Sequence, residues 1–173
     1  AGLETKRRDN FPLMVSCMEV ILQEMMKPRS LDDIRTTVWE IVTRTISDLR
    51  CNLVPLPMLT FTKEFKRVAS SYYLQPAHIR LVVRMVKKKI VGTPGIGDRI
   101  PYVVVQRGNQ MAKDVVERMS ENAEHPELTY SPENGAHKLC IPYYEEKLVT
   151  AISRVLEGLH EGSETEVKRR MFA

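Results

Sequence analysis

Gly97-Asp98-Arg99-Ile100-Pro101-Tyr102-Val103-Val104-Val105 decides how the rest of the chain is read. From Ile100 onward β-branched and aromatic residues dominate, which is the composition of a strand. Gly92-Thr93-Pro94-Gly95, just upstream, closes the element before it. That element is predicted to be a helix from about Pro76 to Lys89, because Ile79, Val82, Val83, Val86 and Ile90 recur at the helical period. Arg80, Arg84, Lys87 and Lys88 fall on another of its faces. Further back, Leu59 to Phe65 alternates, with Leu59, Phe61 and Phe65 on one side and Thr60, Thr62 and Glu64 on the other. A second short strand fits that alternation.

Outward from this centre the pattern is helical. Pro12 suits a first-turn position, and Leu13, Cys17, Val20, Ile21, Glu24 and Met25 mark a stripe that runs to about Lys27, before Pro28 stops it. Ser30 is a good N-cap for a second helix, with Asp32 and Asp33 in its positive first turn. That helix should run to about Arg50 and bury Ile34, Val38, Ile41, Val42, Thr45 and Leu49. A connection this short makes the two helices neighbours. On the C-terminal side, Gln110 to about Glu121 can be helical, and Asn122 to Leu139 reads as a polar, irregular connection. A last helix starts near Pro142 and buries Leu148, Ile152, Val155, Leu156 and Leu159; the charged tail follows. The fold class is therefore α+β, predominantly α-helical, with a few short strands.

The length, 173 residues, suits one domain with a real core. No run of about twenty apolar residues is present, so no segment spans a bilayer and no membrane partner is expected. The N-terminus lacks an apolar signal core and does not begin with Met, and it reads as the continuation of a longer chain. Cys17, Cys51 and Cys140 are widely spaced, odd in number and form no CxxC pair, which points to reduced thiols, not to a metal site. His78, His125, His137 and His160 make no ligand pattern either. Neither a Walker A run nor GxGxxG is present. The carboxylate pairs Asp32-Asp33 and Glu145-Glu146 are adjacent on helices, where neighbours point in different directions, and read as ordinary helix-start charges. No catalytic residue and no metal or cofactor is assigned within this chain.

Charge is informative through its distribution. Between Lys63 and Arg107 ten Lys or Arg stand against Glu64 and Asp98, a net of +8, while the whole chain carries +4. Residues 1–62 balance, and residues 108–173 are net acidic. A concentrated basic stretch calls for a polyanion, nucleic acid first. Lys6-Arg7-Arg8 and Lys87-Lys88-Lys89 add tight cationic clusters, and Arg99 and Tyr102 lie at a strand entrance. Cations held along a surface suit phosphate contact with no base reading. The rival reading is a helical protein–protein interaction module, its acidic C-terminal third and basic middle docking protein partners.

Several motifs then carry a resemblance. Gly2-Leu3-Glu4-Thr5-Lys6-Arg7-Arg8-Asp9-Asn10-Phe11-Pro12-Leu13 resembles the end of the palm in eukaryotic family B DNA polymerases, the delta branch above all. Leu59-Thr60-Phe61-Thr62-Lys63-Glu64-Phe65, Pro76-Ala77-His78-Ile79-Arg80 and Gly97-Asp98-Arg99-Ile100-Pro101-Tyr102-Val103 resemble family segments in the same order. Ile141-Pro142-Tyr143-Tyr144-Glu145-Glu146-Lys147-Leu148 resembles the helix that closes the family's thumb, with Cys140-Ile141-Pro142 where the family has an acid.

The resemblance implies the following. Residues 1–11 end the palm, 12–162 form the thumb and 163–173 are a charged tail. The parent is a nuclear DNA-directed DNA polymerase, a nucleotidyltransferase for replication or translesion synthesis. Its catalytic carboxylates and divalent metal (Mg) lie in the palm, outside this chain. The partners are primer–template duplex DNA and the remaining palm and fingers. Lys6, Arg7 and Arg8 would meet backbone near the primer end, and Lys63, His78, Arg80, Arg99 and Tyr102 would line the duplex further back.

Overall fold

The computed structural model describes residues 10–129 and 138–157, together with Arg169. The chain forms two compact units, Ala1–Leu59 with Tyr144–Ala173, and Thr60–Tyr143.

In the first unit, helix α1 spans Pro12–Met25 and α2 spans Leu31–Arg50. Pro12 sits in the first turn of α1, where a missing N–H costs nothing. Met14, Cys17, Met18 and Ile21 are buried, an i, i+3, i+4, i+7 set. Cys17 and Ile21 are buried as expected, whereas Leu13 is half-buried and Val20 is exposed. The two flexible methionines take the inner positions instead. Ser30 caps α2 as expected, its hydroxyl accepting from the Asp33 N–H at 3.1 Å, with Asp32 and Asp33 in the first turn. Ile34, Val38, Val42, Ile46 and Leu49 are buried, while Ile41 and Thr45 are only half-buried. The two helices pack on each other, and the Cys17 thiol donates to the Thr45 hydroxyl at 3.8 Å.

A second long stretch of chain completes this unit. Helix α6 spans Ile141–Leu156, and from Tyr144 onward its residues belong to the first unit. Tyr144, Leu148, Ile152 and Leu156 are buried, as are Glu145 and Ser153. Phe11 meets Tyr144 edge-to-face at 5.2 Å between ring centroids. Glu145 is ion-paired with Arg50, so the reading of Glu145-Glu146 as plain helix-start charges fails for Glu145. Leu159 and the tail from 163, Arg169 excepted, lie outside the described residues.

The second unit is organised by strand β2. Its elements are β1 (Phe61–Glu64), α3 (Ala77–Lys87), β2 (Arg99–Gln106), α4 (Ala112–Glu117), α5 (Met119–Asn122), β3 (Ala123–Glu124) and β4 (Lys138–Leu139). All three other strands pair antiparallel with β2: β1 along its first half, β3 at Val103–Val104 and β4 at Val105–Gln106. The connection read as irregular from Asn122 to Leu139 thus contributes two strands. Backbone groups of the buried Val103 to Val105 need partners, and two-residue strands are too short to show a period in sequence. The predicted helix over 110–121 breaks at Arg118, whose φ/ψ of −107°/32° leave the helical region, giving α4 and α5.

Helix α3 packs on β2, β3 and α5. Ile79 and Val82 are buried as expected, but His78, Leu81 and Met85 complete the buried face, and Val86 is exposed. The helix is rotated toward its own N-terminal side relative to the sequence reading. It ends in a Schellman pattern, with Lys89 N–H donating to Val86 O and Ile90 N–H to Met85 O, both at 3.0 Å. Lys89 takes the left-handed position at φ 54°, where glycine is the usual residue.

Candidate functional site

The β1–β2 ladder holds Lys63, Arg99 and Tyr102, three of the five described residues expected to touch a ligand. Its register pairs Phe61 with Tyr102, Thr62 with Pro101, Lys63 with Ile100 and Glu64 with Arg99. Gly97, in the left-handed region at φ 94°, donates its N–H to Phe65 O at 2.9 Å, and Phe65 N–H donates to Asp98 O at 2.9 Å. Only glycine adopts that φ at little cost. The Asp98 carboxylate accepts from Gly95 N–H at 2.8 Å, so the turn closes on itself and delivers Arg99 to the start of β2.

Opposed residues of a ladder share a face, and successive residues alternate. Phe61, Lys63, Ile100 and Tyr102 therefore lie on one face, with Thr62, Glu64, Arg99 and Pro101 on the other. The first face is the packed one. Phe61 and Tyr102 are buried and stacked, with centroids 5.2 Å apart and rings 14° from parallel, and Tyr143 meets Phe61 at 6.3 Å. Lys63 is half-buried at its rim. On the reverse face Arg99 is exposed, its guanidinium donating to Thr62 O at 2.8 Å and to Thr62 Oγ1 at 3.0 and 3.2 Å.

The other expected contacts are placed as follows. His78 is buried, and that burial, with the nearby Lys63 charge, pushes its pKa down to about 4. It is neutral at physiological pH. Tyr102 is likewise committed to packing through its ring. Arg80 is exposed and donates to Ser120 Oγ at 3.3 Å. Lys6, Arg7 and Arg8 lie outside the described residues. The structure thus puts Lys63 and Tyr102 on one face of the ladder, with His78 close enough to feel the Lys63 charge, and sets Arg99 on the other face.

Not every cation of the basic stretch is a surface charge. Arg84, which shares a helix face with Arg80, Lys87 and Lys88 in the sequence pattern, is half-buried and donates to Ser120 O at 2.6 Å and to Ala123 O. Arg107 donates to Glu121 O and to the buried Glu124 carboxylate, each at 2.9 Å. Both arginines fasten α5 and β3 to the rest of the unit. Arg67 lies 5.4 Å from the Tyr72 ring centroid, and Lys66 lies 3.9 Å from Glu64. Lys87, Lys88 and Lys89 are exposed at the end of α3. Sequence reasoning missed Thr62, because a lone threonine on a strand gives no signal until its cross-strand neighbour is known.

Burial pushes the Cys17 and Cys140 thiols up, away from the thiolate a nucleophile needs. Among the described residues no group of three or more His, Cys, Asp or Glu could hold a metal ion. No helix among the described residues is long and apolar enough to cross a membrane.

Comparison with known proteins gives a consistent family. Residues 1–159 match the family model of DNA polymerase family B. The DNA polymerase delta catalytic subunit of Caenorhabditis elegans is 33% identical over 158 residues, covering 91% of this chain and 14% of that protein. That of Bos taurus is 32% identical over 161 residues, covering 91% and 13%. That of Drosophila melanogaster is 31% identical over 176 residues, covering 98% and 16%. The chain thus spans between an eighth and a sixth of these relatives' length. Among solved structures, the family B DNA polymerase from the hyperthermophilic archaeon Pyrobaculum calidifontis superposes with a TM-score of 0.67 at 22% identity, covering 88% of this chain and 18% of that one. That likeness bears on fold alone.

Proposed function

The chain belongs to DNA polymerase family B, and from that premise we propose that it is the thumb of a DNA-directed DNA polymerase, gripping primer–template duplex through backbone phosphates. The observation that carries this reading is the net +8 between Lys63 and Arg107, within the second unit, with Arg99 exposed at its ladder. Phosphate contact needs fixed cations and polar groups, not base-edge donors.

In this reading residues 1–11 are the last strip of palm, 12–162 the thumb and 163–173 its tail. Nucleotidyl transfer with divalent metal is the work of the palm, and this chain contributes grip, for replication or translesion synthesis in the nucleus. Its partners are the duplex and the palm and fingers of the same polymerase. Arg99, Lys63 and Arg80 are the groups proposed for backbone contact, joined by Lys6, Arg7 and Arg8. His78, as a neutral imidazole, and Tyr102 are proposed to line the same duplex beside them. Because Lys63 and Arg99 leave the ribbon on opposite faces, each reports on a different flank of it.

The test is a titration of labelled duplex at about 50 mM and about 150 mM salt, with Lys63→Ala and Arg99→Ala alongside. The reading expects affinity that falls steeply with salt and falls again in each variant, independent of duplex sequence. No affinity at low salt, or unchanged affinity in both variants, favours a protein-interaction module instead.

A further inference from the structure

We propose that Tyr73 is a stacking platform for an unpaired nucleobase whose phosphates lie among the neighbouring cations. This rests on the nucleic-acid reading above and extends it from duplex backbone to single-stranded ends. Tyr73 is fully exposed, as open to water as in an extended chain, and Leu74 beside it is 79% exposed. An aromatic ring held that far from the core buries its apolar surface only on a partner.

The backbone that carries the ring is braced. The 3₁₀ turn Ala69–Ser71 precedes it, with Ser71 N–H donating to Val68 O at 3.0 Å and Tyr72 N–H to Ala69 O at 3.4 Å. Gln75 Nε2 reaches back to the same Ala69 carbonyl at 3.1 Å, so Tyr73 and Leu74 lie within a closed loop. Pro76 then fixes the chain as it enters α3. A tyrosine has only two side-chain torsions to lose, so on a braced backbone it offers a large flat surface at small entropic cost.

Charge points to the class of partner. From Lys66 to Gly97 the chain has seven Lys or Arg and no Asp or Glu. Arg67, in the same loop, is exposed and lies 5.4 Å from the centroid of the Tyr72 ring, the residue next to Tyr73. The complement of an exposed ring among cations is an anion that carries a flat apolar face, and a nucleotide supplies both. Bases inside a duplex are already stacked on both faces, whereas an unpaired base beyond its end has a face to offer. Every base has a π-face, so stacking agrees with a grip that reads no sequence.

The experiment compares a blunt duplex with the same duplex carrying an unpaired extension that contains 2-aminopurine, both titrated at about 50 mM salt. The chain, Tyr73→Ala and Tyr73→Phe are measured for affinity, probe fluorescence and thermal melting. The parent should bind the extended duplex about 5- to 10-fold more tightly than the blunt one and quench the probe, the lower end of what one stacked base contributes. Tyr73→Ala should lose the preference and the quenching while keeping its melting temperature and its affinity for blunt duplex. Tyr73→Phe keeps the ring and should behave as the parent. A parent that lacks the preference or the quenching, or a Tyr73→Ala chain that retains either, overturns the proposal and leaves duplex gripping standing. So does a Tyr73→Phe chain that fails as alanine does, or a fall in melting on Tyr73→Ala, which would mean that the ring packs on its own chain. If the parent binds neither oligonucleotide, both readings fall and an acidic protein surface is the complement that remains.

Discussion

Arg50 and Glu145 are 95 residues apart in sequence and meet as a two-pronged ion pair, Nε donating to Oε2 at 3.1 Å and Nη2 to Oε1 at 2.5 Å. The two ends of the pair are unequal: the carboxylate side chain is 7% exposed and the guanidinium 47%.

That asymmetry makes the two truncations differ. Removing Arg50 strands a buried carboxylate, whereas removing Glu145 leaves a cation that water can solvate. Arg50→Met should cost about 2–4 kcal/mol of folding stability, and Glu145→Gln about 1 kcal/mol, both read from urea denaturation.

Arg84 should behave as a structural residue despite its place in the basic stretch. Its guanidinium serves the Ser120 and Ala123 carbonyls, which lose their donors in Arg84→Ala. The expected cost is about 2–3 kcal/mol, with the slope of log affinity against log salt unchanged. A lysine, which lacks the fork, should recover less than half of the loss.

His78 predicts a pH dependence with a definite sign. Its pKa falls from 6.5 to about 4 on folding, burial being the larger cause and the Lys63 charge the smaller. Between those values the unfolded chain binds a proton that the folded chain refuses. Stability from this group is therefore fully present above pH 6.5 and is lost as pH falls toward 4, at up to about 1.4 kcal/mol per pH unit. Urea midpoints near pH 7 and near pH 5 should differ less in His78→Gln than in the parent.

Lys89 occupies the left-handed position of a Schellman cap at φ 54°. Lys89→Gly removes the Cβ clash and should stabilise by about 0.5–1 kcal/mol. Lys88→Gly, one residue earlier at φ −82°, should not stabilise.

What was legible in the sequence was whatever local chemistry decides. Pro12, Ser30 and the Ile100–Val105 run marked their elements because ring geometry, side-chain capping and β-branching act within a few residues. What stayed hidden was decided at a distance. On α3 several faces are apolar enough to bury, and only β2, β3 and α5 select the one that turns His78 and Met85 inward. Strands β3 and β4 exist because β2 has backbone to satisfy, not because their own residues form a pattern. Arg84 and Arg107 count as cations in composition, yet their partners lie 36 and 17 residues away. The motifs were another matter: residues spread from Gly2 to Leu148 matched one family, and the family model spans residues 1–159.

The division of the chain has a consequence for how it is made. The second unit is one uninterrupted stretch whose entry and exit stand side by side, Phe61 and Tyr143 lying 6.3 Å apart. It can close as soon as it clears the ribosome. The first unit cannot, because Phe11 needs Tyr144 and Arg50 needs Glu145, and both partners follow the second unit in the chain. During translation α1 and α2 therefore wait with an open apolar seam, the period in which a nascent chain depends most on chaperones.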